Sequence, residues 1–343
     1  MIIASDKFSS LLKRAHVGAF SGVTGVPIAK RFLFADGKVF GSSGSVCVTA
    51  PFPEWNLPEA SVDGALLEKA VKGFTGDLEV TVGSTFKITC GKASVELPLQ
   101  EANREFYPEA KGEWVPVTRE FPSMVAACSF SNKTDYAGVA LRHVAGSSLL
   151  VGTDQSKIYY GFLPEAVPEF WLNVDASAAL GQVGGESESI AVDGVWFHCK
   201  FTDGTIFSAL AMEVTKYPIE DLYNYVQVFD AETDSRVCGD FTDEMRQAVK
   251  QASVFAGSTT GRKQVSFAYE PSTSMLEVSS EGAGGSYHSQ LHWDGGTAQF
   301  AVTIDAGFIL TAKPQQLKLL TAGDLTVLKV PGDVSALLAL DVL

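Results

Sequence analysis

Apolar and polar positions alternate along most of the chain, and helical periodicity is confined to a few short stretches. Runs of Val, Ile, Phe, Thr and Tyr bounded by Gly, Asp, Asn and Ser predict antiparallel strands joined by tight turns. The segment DLEVTVGSTFKITCGKASVELPL (77–99) predicts three strands, with GS and GK at its hairpins. SESIAVDGVWFHCKFTDGTIFSALAM (187–212) predicts three more around DG and TDG. DLTVLKVPGDVSALLALDVL (324–343) predicts two or three, with PGD at a turn.

Each of these meanders follows a short helical phrase: VDGALLEKAV (62–71), VDASAALGQV (174–183) and IDAGFILTA (304–312). A second helical phrase lies upstream of each: SDKFSSLLKRA (5–15), TREFPSMVAAC (118–128) and GDFTDEMRQAV (239–249). With Phe8, Phe121 and Phe241 as one set of register marks and Val62, Val174 and Ile304 as another, the interval is roughly 110 to 130 residues, the size of a domain and far beyond a solenoid repeat. Three domains of one architecture are expected, at 1–115, 116–229 and 230–343. YPEAKGEWVPV (107–117) and NYVQVFDAETDS (224–235) read as extended connectors.

In VDGALLEKAVKGF the residues Val62, Leu66, Leu67, Ala70, Val71 and Phe74 share one side of a helix, with Lys69 and Lys72 opposite. In the first helical phrase Phe8, Leu11, Leu12 and Ala15 form the apolar side and leave Lys13 and Arg14 outward. The third-domain helices are expected to carry Arg246 and Lys250, then Lys313 and Lys318. Such lysines are also what any solvated helix face carries. The second domain offers only Arg119.

The 343 residues include 46% hydrophobic and 19% charged positions, the balance of a folded chain rather than a disordered one. The N-terminal stretch has no apolar core of signal-peptide length, and no later stretch has the unbroken apolar length of a membrane span, so a cytoplasmic protein is expected. The five cysteines are scattered and read as buried thiols. The net charge of −14 speaks against nucleic acid unless the cations are segregated.

Several constellations carry little chemistry. His288 and His292 could share a strand face, but no third ligand is near in sequence, and neither a metal nor a cofactor is expected. GSSGS (41–45) and EGAGGSYHS (281–289) are glycine-rich without leading into a phosphate-binding helix. No Gly-x-Ser-x-Gly elbow occurs, and no carboxylate pair stands out.

Taken in order, these phrases resemble the bacterial DNA polymerase III sliding clamps and their bacteriophage relatives. The resemblance covers the whole chain. It includes ASVDGALLEKAVKGF (60–74) with the meander that follows, YP at 107–108, FSNKTDYAGVALRH (130–143), VGTDQSKIYYGF (151–162) and MEVTKYPIEDL (212–222). It implies an α+β fold of three repeated clamp domains, each with two helices packed on antiparallel sheets. It further implies a non-catalytic homodimeric ring whose helices line a hole for duplex DNA. Contact with phosphates would fall to Lys7, Lys13, Arg14, Lys69, Lys72, Arg119, Arg246, Lys250, Lys313 and Lys318. A hydrophobic pocket for short peptides of the replicative polymerase and clamp loader would involve Tyr136, Thr153, Lys157, Ile158, Pro218, Leu222, Phe308, Leu337, Leu340 and Leu343. Gln155, Ser156 and Lys157 replace the family's Gly-His-Arg, and Leu-Ala-Leu-Asp-Val-Leu replaces its Met-Pro-Met-Arg-Leu ending. The competing classes are an all-β hydrolase, with one cleft of paired carboxylates, and a virion structural protein.

Overall fold

The structure, a computed structural model, describes residues 1–21, 30–102, 104–129, 136–144, 146–153, 157–163, 167–231, 235–256, 263–312, 314–322, 325–332 and 334–339. The chain folds as two compact units. One contains Met1–Pro122 and Asp175–Met212, the other Ser123–Val174 and Glu213–Leu343. Seven α-helices occur among the described residues: α1 (Ser5–Phe20), α2 (Gly64–Lys72), α3 (Phe121–Cys128), α4 (Val174–Gln182), α5 (Ile219–Ala231), α6 (Asp243–Phe255) and α7 (Ala306–Ala312). None is long and apolar enough to cross a membrane.

Among the described residues, each unit holds one eight-stranded and one four-stranded antiparallel sheet. In the first unit the large sheet runs Ala60–Asp63, Arg31–Ala35, Lys38–Ser42, Val46–Pro51, Ile206–Leu210, Trp196–Phe201, Ser187–Asp193, Val115–Pro116. In the second it runs Phe170–Leu172, Val139–Val144, Ser147–Thr153, Lys157–Leu163, Ser335–Ala339, Leu325–Val330, Gln316–Ala322, Ser235–Asp240. Each is two four-stranded halves joined at a seam. Val48 pairs with Phe207 at the first seam, and Tyr159 with Ala336 at the second. The segment read as a middle domain contributes its first meander to the second unit and its second meander to the first.

The recurring phrases have a local cause. Asp63 caps α2 by accepting the Leu66 N–H at 2.9 Å, and Asp305 caps α7 by accepting the Phe308 N–H at the same distance. The next residue ties each helix start to the strand side of the domain: Gly64 N–H donates to the Lys30 carbonyl and Ala306 N–H to that of Lys263, both at 2.8 Å. Helix and sheet then meet at one repeated point. A Cβ built on Gly41 would overlap the Ala15 carbonyl oxygen of α1, and one on Gly152 would overlap that of Cys128 in α3. At the third such point Ser280 stands instead, and its hydroxyl donates to the Ala252 carbonyl of α6 at 2.7 Å. This contact corrects the register marks. Phe241 precedes α6, and Met245 takes the buried place that Phe8 and Phe121 hold in their helices.

Burial of aromatic rings holds the first unit together. Phe8, Phe34, Phe52 and Phe86 are fully buried around Trp55, with Phe34 stacked on the Trp55 ring at 4.8 Å. Each such ring contributes roughly 2–3 kcal/mol through area removed from water. Three expectations fail. Leu66 is exposed on α2 rather than on its buried side. The third meander begins at Gln316, so Lys318 lies on a strand and not on a helix. The segment read as an extended connector from 224 is helical, within α5.

Candidate functional site

In the first unit α1 and α2 flank a groove of about 640 Å³. Ser9, Lys13, His16, Glu68, Lys72 and Phe74 are among its lining residues. The His16 Nδ1 lies 2.9 Å from a Glu68 carboxylate oxygen, and its ring stacks on Phe20. Lys13, Lys69 and Lys72 are exposed on these two helices with no ion pair among the described residues. The other predicted cations of this unit are spoken for. Lys7 pairs with Glu54, Arg14 with Asp203 and the Thr205 hydroxyl, and Arg119 with Glu186 at 3.3 Å.

In the second unit Lys250 is exposed on α6 without an ion pair among the described residues. Arg246 bonds to Asp243 at 2.9 Å, donates to the Pro314 carbonyl at 2.6 Å and lies over the Phe241 ring. Lys318 is half-buried in its strand, opposite Lys329. Lys313 lies outside the described residues.

The second unit also contains an apolar cavity of about 350 Å³. Its floor is the second seam, where Thr153 pairs with Ile158 and Ile158 with Leu337. The Thr153 hydroxyl donates to the Lys157 carbonyl at 2.9 Å, which closes that hairpin. One wall is Tyr136, held edge-on to Tyr217. Burial pushes the Tyr217 phenol up, and its hydroxyl faces the Val151 carbonyl at 3.4 Å. The opposite wall is Pro218 and the α5 side chains Asp221, Leu222, Tyr225 and Phe229, completed by Leu325 and Val327.

Ion pairs at both ends fix α5 over this floor. Arg142 reaches Glu220 at 3.0 Å and Glu169 at 3.6 Å near the start of the helix. Lys329, whose side chain is only 14% exposed, meets Asp230 at 2.6 Å at the other end. The Tyr160 hydroxyl donates to the same Asp230 oxygen at 2.7 Å. Burial first, and then the Asp230 charge, push the Tyr160 phenol up, so it stays a neutral donor. Between these ties Ile219, Leu222, Val226 and Phe229 bury the apolar face of the helix.

Tyr136, Thr153, Ile158, Pro218, Leu222 and Leu337 thus meet at one cavity. Phe308 does not join them. It is buried and stacks on Tyr159 at 4.4 Å; strand alternation turns Tyr159 away from the face that carries Ile158. Lys157 shares the Tyr159 side by the same alternation and is not a lining residue. Asp154, Gln155, Ser156, Leu340 and Leu343 lie outside the described residues. Asp221, Tyr225, Phe229, Leu325 and Val327 were not anticipated. The spacing of Ile219, Leu222, Val226 and Phe229, behind Pro218 and the acidic pair Glu220 and Asp221, is the signal that finds their helix.

No protein-family model matches the chain, and no curated protein matches it in sequence. Solved structures do. A DNA polymerase sliding clamp from Pseudomonas aeruginosa is 13% identical with a TM-score of 0.68, over 100% of this chain and 99% of that one. A DNA polymerase sliding clamp from Bacillus subtilis is 14% identical with a TM-score of 0.67, over 100% and 98%. A DNA polymerase III subunit beta sliding clamp from Pseudomonas aeruginosa bound to griselimycin is 12% identical with a TM-score of 0.69, over 100% and 99%. Across its whole length, the chain therefore has the α+β fold of the bacterial DNA polymerase III beta sliding clamps.

Proposed function

We propose that this chain is a DNA sliding clamp, a non-catalytic ring that encircles duplex DNA and tethers a replicative polymerase by a peptide held in the α5 cavity. The observation that carries the reading is that cavity. In a chain with the clamp fold, it gathers on one sheet face six of the ten residues assigned to a peptide site. The ring is built from three domains, 1–115, 116–229 and 230–343, with the second boundary inside α5 and each seam joining neighbouring domains. A clamp loader, using the same cavity, opens it.

Ring closure by a second copy follows from the sheet edges. At both seams the last strand of one meander pairs with the last strand of another. Ala93–Pro98 and Gly285–His292 are the last strands of the remaining two meanders, and each is a sheet edge paired on one side only among the described residues. An edge of this kind is a template for another chain. Beside the second edge Val254 is 71% exposed and Phe255 stacks on Tyr287, an apolar margin for a partner to cover. Joining the first edge of one copy to the second edge of the other, twice, gives a closed homodimer.

Phosphates would meet mainly Lys13, Lys69, Lys72 and Lys250, because the arginines are engaged with acids. Such contacts are blind to sequence and fall off with salt, which leaves topology to hold the ring on DNA. The test is retention. Light scattering should report a dimer. Protein threaded onto linear duplex should stay through gel filtration when both ends are capped, and be lost when they are open. A strict monomer, or equal retention on both duplexes, would sink the reading.

A further inference from the structure

The wall that α5 adds to the cavity carries a charge without a partner. Of the three acids on this helix, Glu220 is bound to Arg142 and Asp230 to Lys329 and Tyr160. Among the described residues Asp221 has no hydrogen bond or ion pair, and it is the sole charged side chain of those that line the cavity. It also borders a shallower depression of about 520 Å³ on the solvent side of α5, with Asn224, Tyr225 and Val228. Tyr225 and Val228 are each 51% exposed there and adjoin the cavity's own apolar lining. The two depressions share Asp221 and Tyr225, so they form one surface: an apolar slot, an unpaired carboxylate at its lip and an apolar ridge beyond.

Building on the peptide-pocket reading, we propose that the partner peptide is basic next to its apolar anchor. The anchor fills the slot, a Lys or Arg faces Asp221, and a further apolar side chain covers Tyr225 and Val228. Complementary charge is the argument for this occupant. A carboxylate beside an apolar slot penalises an acidic peptide and rewards a cationic one, most strongly at low salt because Asp221 is exposed. The ties at both ends of α5 hold Asp221 in place, so binding loses little to ordering the wall.

A random short-peptide library displayed on phage, panned against the full chain and against Asp221→Asn, tests this. Peptides selected by the native chain should combine an apolar anchor with an adjacent Lys or Arg; those selected by Asp221→Asn should keep the anchor and lose the basic bias. A synthetic pair differing only by Lys or Glu beside the anchor should then separate by roughly five- to tenfold in anisotropy titrations at low salt, and converge on Asp221→Asn. Anchored peptides with no charge bias, or a bias that survives Asp221→Asn, would overturn the proposal while leaving the pocket intact. If no apolar-anchored peptide is selected, the pocket reading itself falls, and this proposal with it.

Discussion

The two seams are the same construction with opposite outcomes. Across the first, strand pairing links Ser42, Cys47, Ser208 and His198 in one row; across the second it links Thr153, Ile158, Leu337 and Lys329. The rows are equivalent because each starts one residue after the glycine that meets a helix carbonyl, Gly41 or Gly152. In the first unit the row is small and polar, and an irregular segment lies on it. The Ser42 hydroxyl donates to the Phe106 carbonyl at 2.8 Å, Tyr107 packs edge-on to Phe40, and the Trp114 ring lies 6.3 Å from that of His198. Burial there pushes the Cys47 thiol up to about 12, which makes it inert. In the second unit the row is bulky, yet a cavity remains, because a helix crosses the sheet in place of a flat segment. A pocket on this scaffold is thus made by what crosses the sheet and not by the sheet itself.

Disturbing the shared glycines should have the largest effect. Gly41→Ala and Gly152→Ala each drive a methyl into a main-chain carbonyl that cannot rotate away, so each should cost about 3 kcal/mol of stability or more. Hydrogen exchange should place the loosening in α1 for the first and in α3 for the second. If both variants melt like the native chain, the equivalence of the rows is wrong. Next in size is the slot. Leu222→Glu places a carboxylate against Ile158 and Leu337 and should weaken an anchored peptide roughly a hundredfold. Peptide titration checks it.

A smaller effect sharpens the contrast from the other side. If Tyr107 fills in the first unit what stays open in the second, Tyr107→Ala should cost about 2 kcal/mol and open an apolar site there. The readout is hydrophobic-dye binding gained over that of the native chain. Burial also pushes the Tyr107 phenol up.

What could be read from residues alone follows the same division. Alternation fixed nearly all strands of the three meanders, because a one-residue slip would invert a buried face. The capping aspartates Asp63 and Asp305 made the helix starts legible from three letters. The connectors were harder. NYVQVFDA reads as extended when taken from residue 224, since its helix starts at Ile219 and half of its periodicity lies upstream. Charge pairing was hidden altogether: nothing in the order of residues brings Asp203 to Arg14 or Glu54 to Lys7, so the basic helix faces looked twice as free as they are. Phe308 shows the converse limit: the resemblance assigns it to the site, whereas it is buried on α7 against Tyr159, whose strand turns that ring away from the face carrying Ile158.

The smallest expected effect comes from the last rung of the two rows. Lys329 in the second unit is charged and satisfied by Asp230, whereas His198 in the first is buried beside Trp114, with its Nδ1 2.8 Å from the Ser208 hydroxyl. Burial holds the His198 imidazole below its usual value of 6.5, opposed only in part by Asp193. Above that value the ring is neutral in both folded and unfolded chains and contributes no pH dependence. As the pH falls through 6.5 the unfolded chain takes up the proton before the folded one does, so stability declines until the folded ring is protonated too. Denaturation midpoints should therefore drop on mild acidification, and His198→Gln, which keeps a polar group near Ser208 but cannot titrate, should flatten that slope. An identical slope in the native chain and His198→Gln would mean that acid sensitivity arises elsewhere, and the two rows would then differ in packing alone.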